Sequence, residues 1–134
     1  MASTLLQRIH QHQHLRDLRN KLLQLHRVLL DNERITYEQA QGRVSSGELL
    51  QLVIDHDQFA WLHRISEQIV QIDELLQADA PILPDDVNQL RQQVRALLTP
   101  AAAGSRFEKK YYSALQDHPD AVLAHAEVLA LLRV

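Results

Sequence analysis

Leu15, Leu18, Leu22, Leu25 and Leu29 recur at alternating steps of three and four, the seam of a helix packed lengthwise on a neighbour. Ser3 and Thr4 are suitable N-caps for this first helix, Leu5 and Ile9 extend its stripe toward the N-terminus with His12 at the next step, and Asp31-Asn32 marks its expected end. Leu62, Ile65, Ile69, Ile72 and Leu76 repeat the same spacing, with Phe59 in front, and predict a second long helix over 58–77. Two seams of equal length predict an antiparallel pair. Between them, Thr36 and Gln39 stand in a capping-box arrangement that starts a short helix. Gly42 and Ser45-Ser46-Gly47 interrupt it, and Glu48 to Asp55 forms a second short apolar helix.

The stretch ADAPILPDD reads as a loop, and Pro84 with Asp85-Asp86 suits the first turn of a third helix carrying Val87, Leu90, Val94 and Leu97. Thr99-Pro100 stops that helix, and Ser105 with Glu108 forms a capping box for a fourth, through Tyr111, Tyr112 and Leu115 to His118. Pro119-Asp120 opens a last helix with an apolar face of Val122, Ala126, Leu129 and Leu132. No segment reads as a strand. The expected fold is all-α, a helical bundle of four main helices with short connecting helices, in one domain over 1–134.

Composition agrees with that fold. Apolar residues make up 46% of the chain but aromatics only 4%, so the core must be mostly aliphatic. The absence of cysteine excludes disulfides, thiolate metal sites and a cysteine nucleophile. The N-terminal stretch lacks the basic start and apolar run of a signal peptide, and no long apolar run suits a membrane span, so a cytoplasmic protein without membrane contacts is expected.

A net charge of −3 argues against nucleic acid as a partner. The distribution is uneven. Residues 1–30 carry Arg8, Arg16, Arg19, Lys21 and Arg27 against Asp17, whereas residues 45–90 carry Glu48, Asp55, Asp57, Glu67, Asp73, Glu74, Asp79, Asp85 and Asp86 against Arg64. Either the two segments pack side by side with solvated charged faces, or the acidic one meets a basic protein partner.

Candidate chemistry rests on the histidines. His10 and His14 share a helix face, with His12 on another, but no third ligand is identified. His56 and His63 are seven apart, Glu67 lies one turn beyond His63, and Asp55 and Asp57 are close by, so His56, His63 and Glu67 are the leading metal-ligand candidates. The chain has no Glu-x-x-His, which argues against a ferritin-like di-metal site, and the ligand sets around His10-His14 and His56-His63 are incomplete, so neither a metal nor a cofactor is expected. His118 suits a helix C-terminus, and His125, between Ala124 and Ala126, suits a hydrogen-bonded core or boundary position. Arg106, Lys109 and Lys110 beside Tyr111-Tyr112 form a small basic-aromatic patch, too sparse for a nucleic-acid platform. Asp73 and Glu74 are adjacent and point apart, and no nucleophile elbow, phosphate loop or zinc-protease motif is present.

Two stretches carry a family resemblance. FAWLHRISEQIVQIDELL at 59–76 is similar to a stretch in small uncharacterised bacterial all-helical proteins, and RFEKKYYSALQDHPDAVLAHAEVLALL at 106–132 resembles their C-terminal end. The resemblance implies a bacterial, cytoplasmic, all-helical protein; no activity or catalytic residue goes with that group, so none carries over.

The function expected from these features is a non-enzymatic interaction or self-association module, with a homodimer as the expected assembly. Apolar residues lie off both seams: Leu6, Leu23, Val28 and Leu30 on the first, and Trp61, Val70 and Leu75 on the second, the last three being the interface candidates. The alternative is a bundle that binds a metal, haem or small apolar ligand through His56, His63 and Glu67.

Overall fold

The computed structural model describes residues 2–133, with side chains from residue 5 onward. Six α-helices run α1 (Ala2–Gln41), α2 (Ser46–Asp55), α3 (His63–Gln77), α4 (Pro84–Leu97), α5 (Arg106–Asp117) and α6 (Pro119–Leu132), with a 3-10 turn at Asp57–Leu62 before α3 and no strand among the described residues. The proposed caps Ser3 and Thr4 lie outside the described side chains.

The first helix does not end at Asp31-Asn32. It continues through Thr36, which caps nothing and instead donates from Oγ1 to the carbonyl of Asn32 at 3.1 Å. No Gly or Pro breaks the helix before Gly42, and the Arg34–Glu38 pair supports the added turns at 3.6 Å. Gly42, at φ +89, ends it with its N–H on the carbonyl of Glu38 at 2.8 Å. Ser45 caps α2, accepting from the Glu48 N–H at 3.2 Å, so the connector is one short helix rather than two.

Hydrogen bonds set the register of α1 against α3. Arg19 meets Asp73 at 3.0 Å, His26 meets Ser66 at 3.1 Å, and Glu33 accepts from Gln58 in the 3-10 turn at 2.9 Å. Steps of seven up α1 match steps of seven and eight down the other segment, so the two run antiparallel, as their seams predict. Leu15, Leu18, Leu22, Leu25 and Leu29 are buried with Phe59, Leu62, Ile65, Ile69 and Ile72; Leu76 is half-buried. The expected second long helix is therefore present, but its front turn, Asp57–Leu62, is wound as 3-10.

On its other side α1 packs against α6, also antiparallel, through Lys21–Glu127 at 3.4 Å and Asn32–Asp120 at 3.2 Å. The buried face of α6 is Ala121, Ala124, Val128 and Leu132, whereas Val122 and Ala126, expected inside, are exposed. Apart from Asp120, His125 and Glu127 this helix is apolar around most of its circumference, so periodicity could not select its inner face. The small side chains of Ala121 and Ala124 allow close approach to α1. Helix α4 packs on α3, α6 and α1, and Arg91 and Arg95 both donate to the Leu132 carbonyl at the C-terminal end of α6. Helix α5 lies against α6 and the 3-10 turn, opened by the expected Ser105–Glu108 capping box.

Candidate functional site

Trp61, Phe107 and Tyr111 form an aromatic line where the 3-10 turn meets α5, and Tyr111 continues it to His125 of α6. Trp61, one of the three interface candidates, is buried in the core of its own chain and packs there. A buried indole needs an acceptor for its N–H. Glu33 of α1 supplies it: Trp61 Nε1 donates to Oε1 at 3.0 Å, Gln58 Nε2 donates to Oε2 at 2.9 Å, and Lys110 Nζ lies 3.9 Å from Oε1.

This carboxylate stands at the head of an open cleft of about 540 Å³ between α1, the 3-10 turn and α5. Asn32, Thr36, Ser113, Asp117 and His118 line the rest of it. Arg106, at the rim, donates to the Asp57 carbonyl at 2.6 Å. The cleft joins polar groups to the Arg106–Lys109–Lys110 patch, but its most enclosed charge is already satisfied by two hydrogen-bond donors and the nearby Lys110 ammonium. Among the described residues, no hydrogen bond joins the Ser113 or Thr36 hydroxyl to a base in it; Thr36 donates to the Asn32 carbonyl.

The metal-ligand candidates do not converge. His56 caps the 3-10 turn, its Nδ1 accepting from the Gln58 N–H at 3.1 Å, and its ring packs edge-on against Tyr37 at 5.5 Å. His63 points elsewhere: its Nε2 lies 2.7 Å from the Val53 carbonyl, which can only accept, so that nitrogen carries the proton. Glu67 is exposed. His10 is exposed on α1, while His14 turns toward the body, where burial and Arg91 lower its pKa. Among the described residues, no group of three His, Asp or Glu side chains is placed to hold a metal ion.

Two polar pairs join residues of different helices; His125 takes the hydrogen-bonded boundary position expected of it, but no sequence signal named its partner or the second pair. Tyr111 and His125 meet across α5 and α6, hydroxyl to Nδ1, at 2.5 Å. Burial raises the tyrosine pKa and lowers that of the histidine, so the phenol donates and the neutral imidazole accepts. Phe107 stacks on the Tyr111 ring, 5.6 Å between centroids. His26 and Ser66 form the second pair, and burial, reinforced by His63, lowers the His26 pKa. Ser66 Oγ also lies 3.4 Å from the Leu62 carbonyl one turn back, which ties the hydroxyl to its own helix.

The remaining feature is apolar surface. Leu5, Leu6 and Ile9 are each more than half exposed near the start of α1, as are Val70 on α3 and Leu83 before α4; Leu75 is half-buried. Leu5 and Ile9 do not extend the core seam. One heptad ahead of Leu15 and Leu18 stand Arg8 and Gln11, so the seam turns polar there and the two apolar residues lie on another face.

No family model matches the chain, and no curated protein or solved structure matches it. No helix among the described residues is long and apolar enough to cross a membrane.

Proposed function

We propose that this chain is a non-enzymatic helical module that acts by self-association, with a homodimer as its working form. Its body is read as a bundle of four main helices, α1, α3, α4 and α6, each in contact with the next, with α2 and α5 as short connecting helices. The observation that carries the functional reading is the start of α1. Every side chain from Leu5 to His10 is exposed, three of them large and apolar, on a helix end whose first buried residue is Leu15. Leaving such a stripe in water forgoes burial that a partner would supply. The ligand-binding alternative draws less support, because Glu67 is exposed and, among the described residues, no three His, Asp or Glu side chains are placed to share a metal ion.

Sedimentation velocity or light scattering across a hundredfold range of concentration tests the reading. A mass of two chains that falls toward one on dilution is expected. A single-chain mass at every concentration up to about 100 µM, where even weak specific pairs are populated, would overturn it.

A further inference from the structure

The partner surface for the start of α1 is written in the charge of the same chain. Residues 2–16 contain Arg8, Arg16, His10, His12 and His14 and no acid. Residues 65–90 contain Glu67, Asp73, Glu74, Asp79, Asp85 and Asp86 and no Lys, Arg or His. Among the described residues, only Asp73 of those acids forms an ion pair within the chain, with Arg19.

The two regions also lie at one end of the molecule. Arg19 stands level with Asp73, so the C-terminal end of α3 lies near Leu15 and the first turns of α1 run past it. From Ala2 to His14 that arm is roughly 20 Å long at the helical rise. Its base shares a hollow with the loop after α3: Arg8 and His12 line it together with Leu75, Asp79 and Ile82. Next to this hollow, α3 and α4 enclose a groove of about 220 Å³ lined by Glu74, Leu75, Asp86 and Leu90. Val70 stands one turn from Glu67 and Glu74 on the outer flank of α3, and Leu83 precedes Asp85 and Asp86, so exposed apolar side chains sit among the acids.

We propose that the arm of each chain lies along the acidic α3–α4 groove of a second copy, and that the two copies exchange arms about a two-fold axis. This rests on the self-association reading and names its surfaces. Leu5, Leu6 and Ile9 meet Val70, Leu75 and Leu83, while Arg8 and Arg16 meet Glu67, Glu74 and Asp86. Because arm and groove lie at the same end, one exchange satisfies both copies, and the assembly closes as a dimer. The charges set partner choice and orientation, and the apolar contacts hold the pair.

The chain has no cysteine, so single cysteines report the contact cleanly. Ile9→Cys protein is mixed with Val70→Cys protein and treated with a short bis-maleimide. A covalent dimer in the mixture, and little in either variant alone, is expected. In parallel, Arg8→Glu and Glu74→Arg should each raise the dimer dissociation constant about tenfold or more, and the two together should recover most of that loss. Leu123→Ser, on the exposed outer face of α6, should leave it unchanged. Circular dichroism confirms that each variant is folded. A dimer that cross-links Ile9→Cys to itself, ignores both charge reversals, or dissociates in Leu123→Ser would overturn the exchange while leaving self-association standing. A wild-type chain that stays monomeric would remove both.

Discussion

The indole of Trp61 donates to the carboxylate of Glu33 at 3.0 Å, and this bond decides which way the front of the second seam faces. It fixes the 3-10 turn against the C-terminal half of α1, and Gln58 shares the same carboxylate. Replacing Glu33 with Leu leaves the indole N–H without its acceptor and the Gln58 amide with only the main-chain carbonyl of residue 33, at 3.5 Å. Urea unfolding should show a loss of roughly 1–3 kcal/mol, and Glu33→Gln should lose less because it retains one acceptor. Trp61 is the single tryptophan, so its fluorescence reports the same site. Equal stability and an unshifted emission in Glu33→Leu would show that the bond is dispensable.

The core seam is the stronger constraint. Leu22 and Ile65 are fully buried at the α1–α3 contact. Truncating either to Ala should cost roughly 2–5 kcal/mol, because the cavity adds to the lost transfer energy. A cost below about half a kcal/mol at both positions would mean that the pairing of α1 with α3 is wrong.

Much of this architecture was legible because local and tertiary signals agreed. The 3-4 seams of α1 and α3, Pro84 and the Ser105–Glu108 box each work through neighbours in sequence. Other features were not legible. Helix α1 runs on through Asp31-Asn32 because Glu33 and Tyr37 are anchored from outside by Trp61, Gln58 and Phe59, and no local pattern announces those contacts. The inner face of α6 was hidden because apolar residues occupy most of its circumference and leave no single preferred face. The Tyr111–His125 and His26–Ser66 pairs join residues from different helices and depend on the packing register. Trp61 read as surplus apolar area because the carboxylate that draws its indole inward lies 28 residues away.

Zinc separates the two readings of the histidines. His63 Nε2 and His56 Nδ1 are engaged, and His63 Nδ1 keeps its lone pair, but among the described residues no third His, Asp or Glu side chain is placed to complete a site with them. Stoichiometric zinc should therefore leave Tm unchanged. A rise of several degrees that disappears in His63→Ala would establish a metal site there.

Acid should destabilise the fold through its enclosed histidines. Burial lowers the pKa of His26, with His63 adding to it; burial and Arg91 lower that of His14; burial lowers that of His125. The ordinary value is 6.5, so just below it the unfolded chain takes up protons that the folded chain refuses. Unfolding free energy therefore falls as pH drops from 7 through 6.5 and continues to fall until the lowered folded values are reached. His26, the most enclosed of the three, sets an upper limit of about 1.4 kcal/mol per pH unit for its own share, and the more solvated His14 and His125 contribute less. Urea titrations at pH 7.5 and 5.5 on wild type and His26→Gln measure this share directly, since glutamine can still bond Ser66 but cannot titrate. The variant should lose less stability between the two pH values than wild type does. Identical losses would mean that His26 accepts its proton in the folded chain as readily as in the unfolded one.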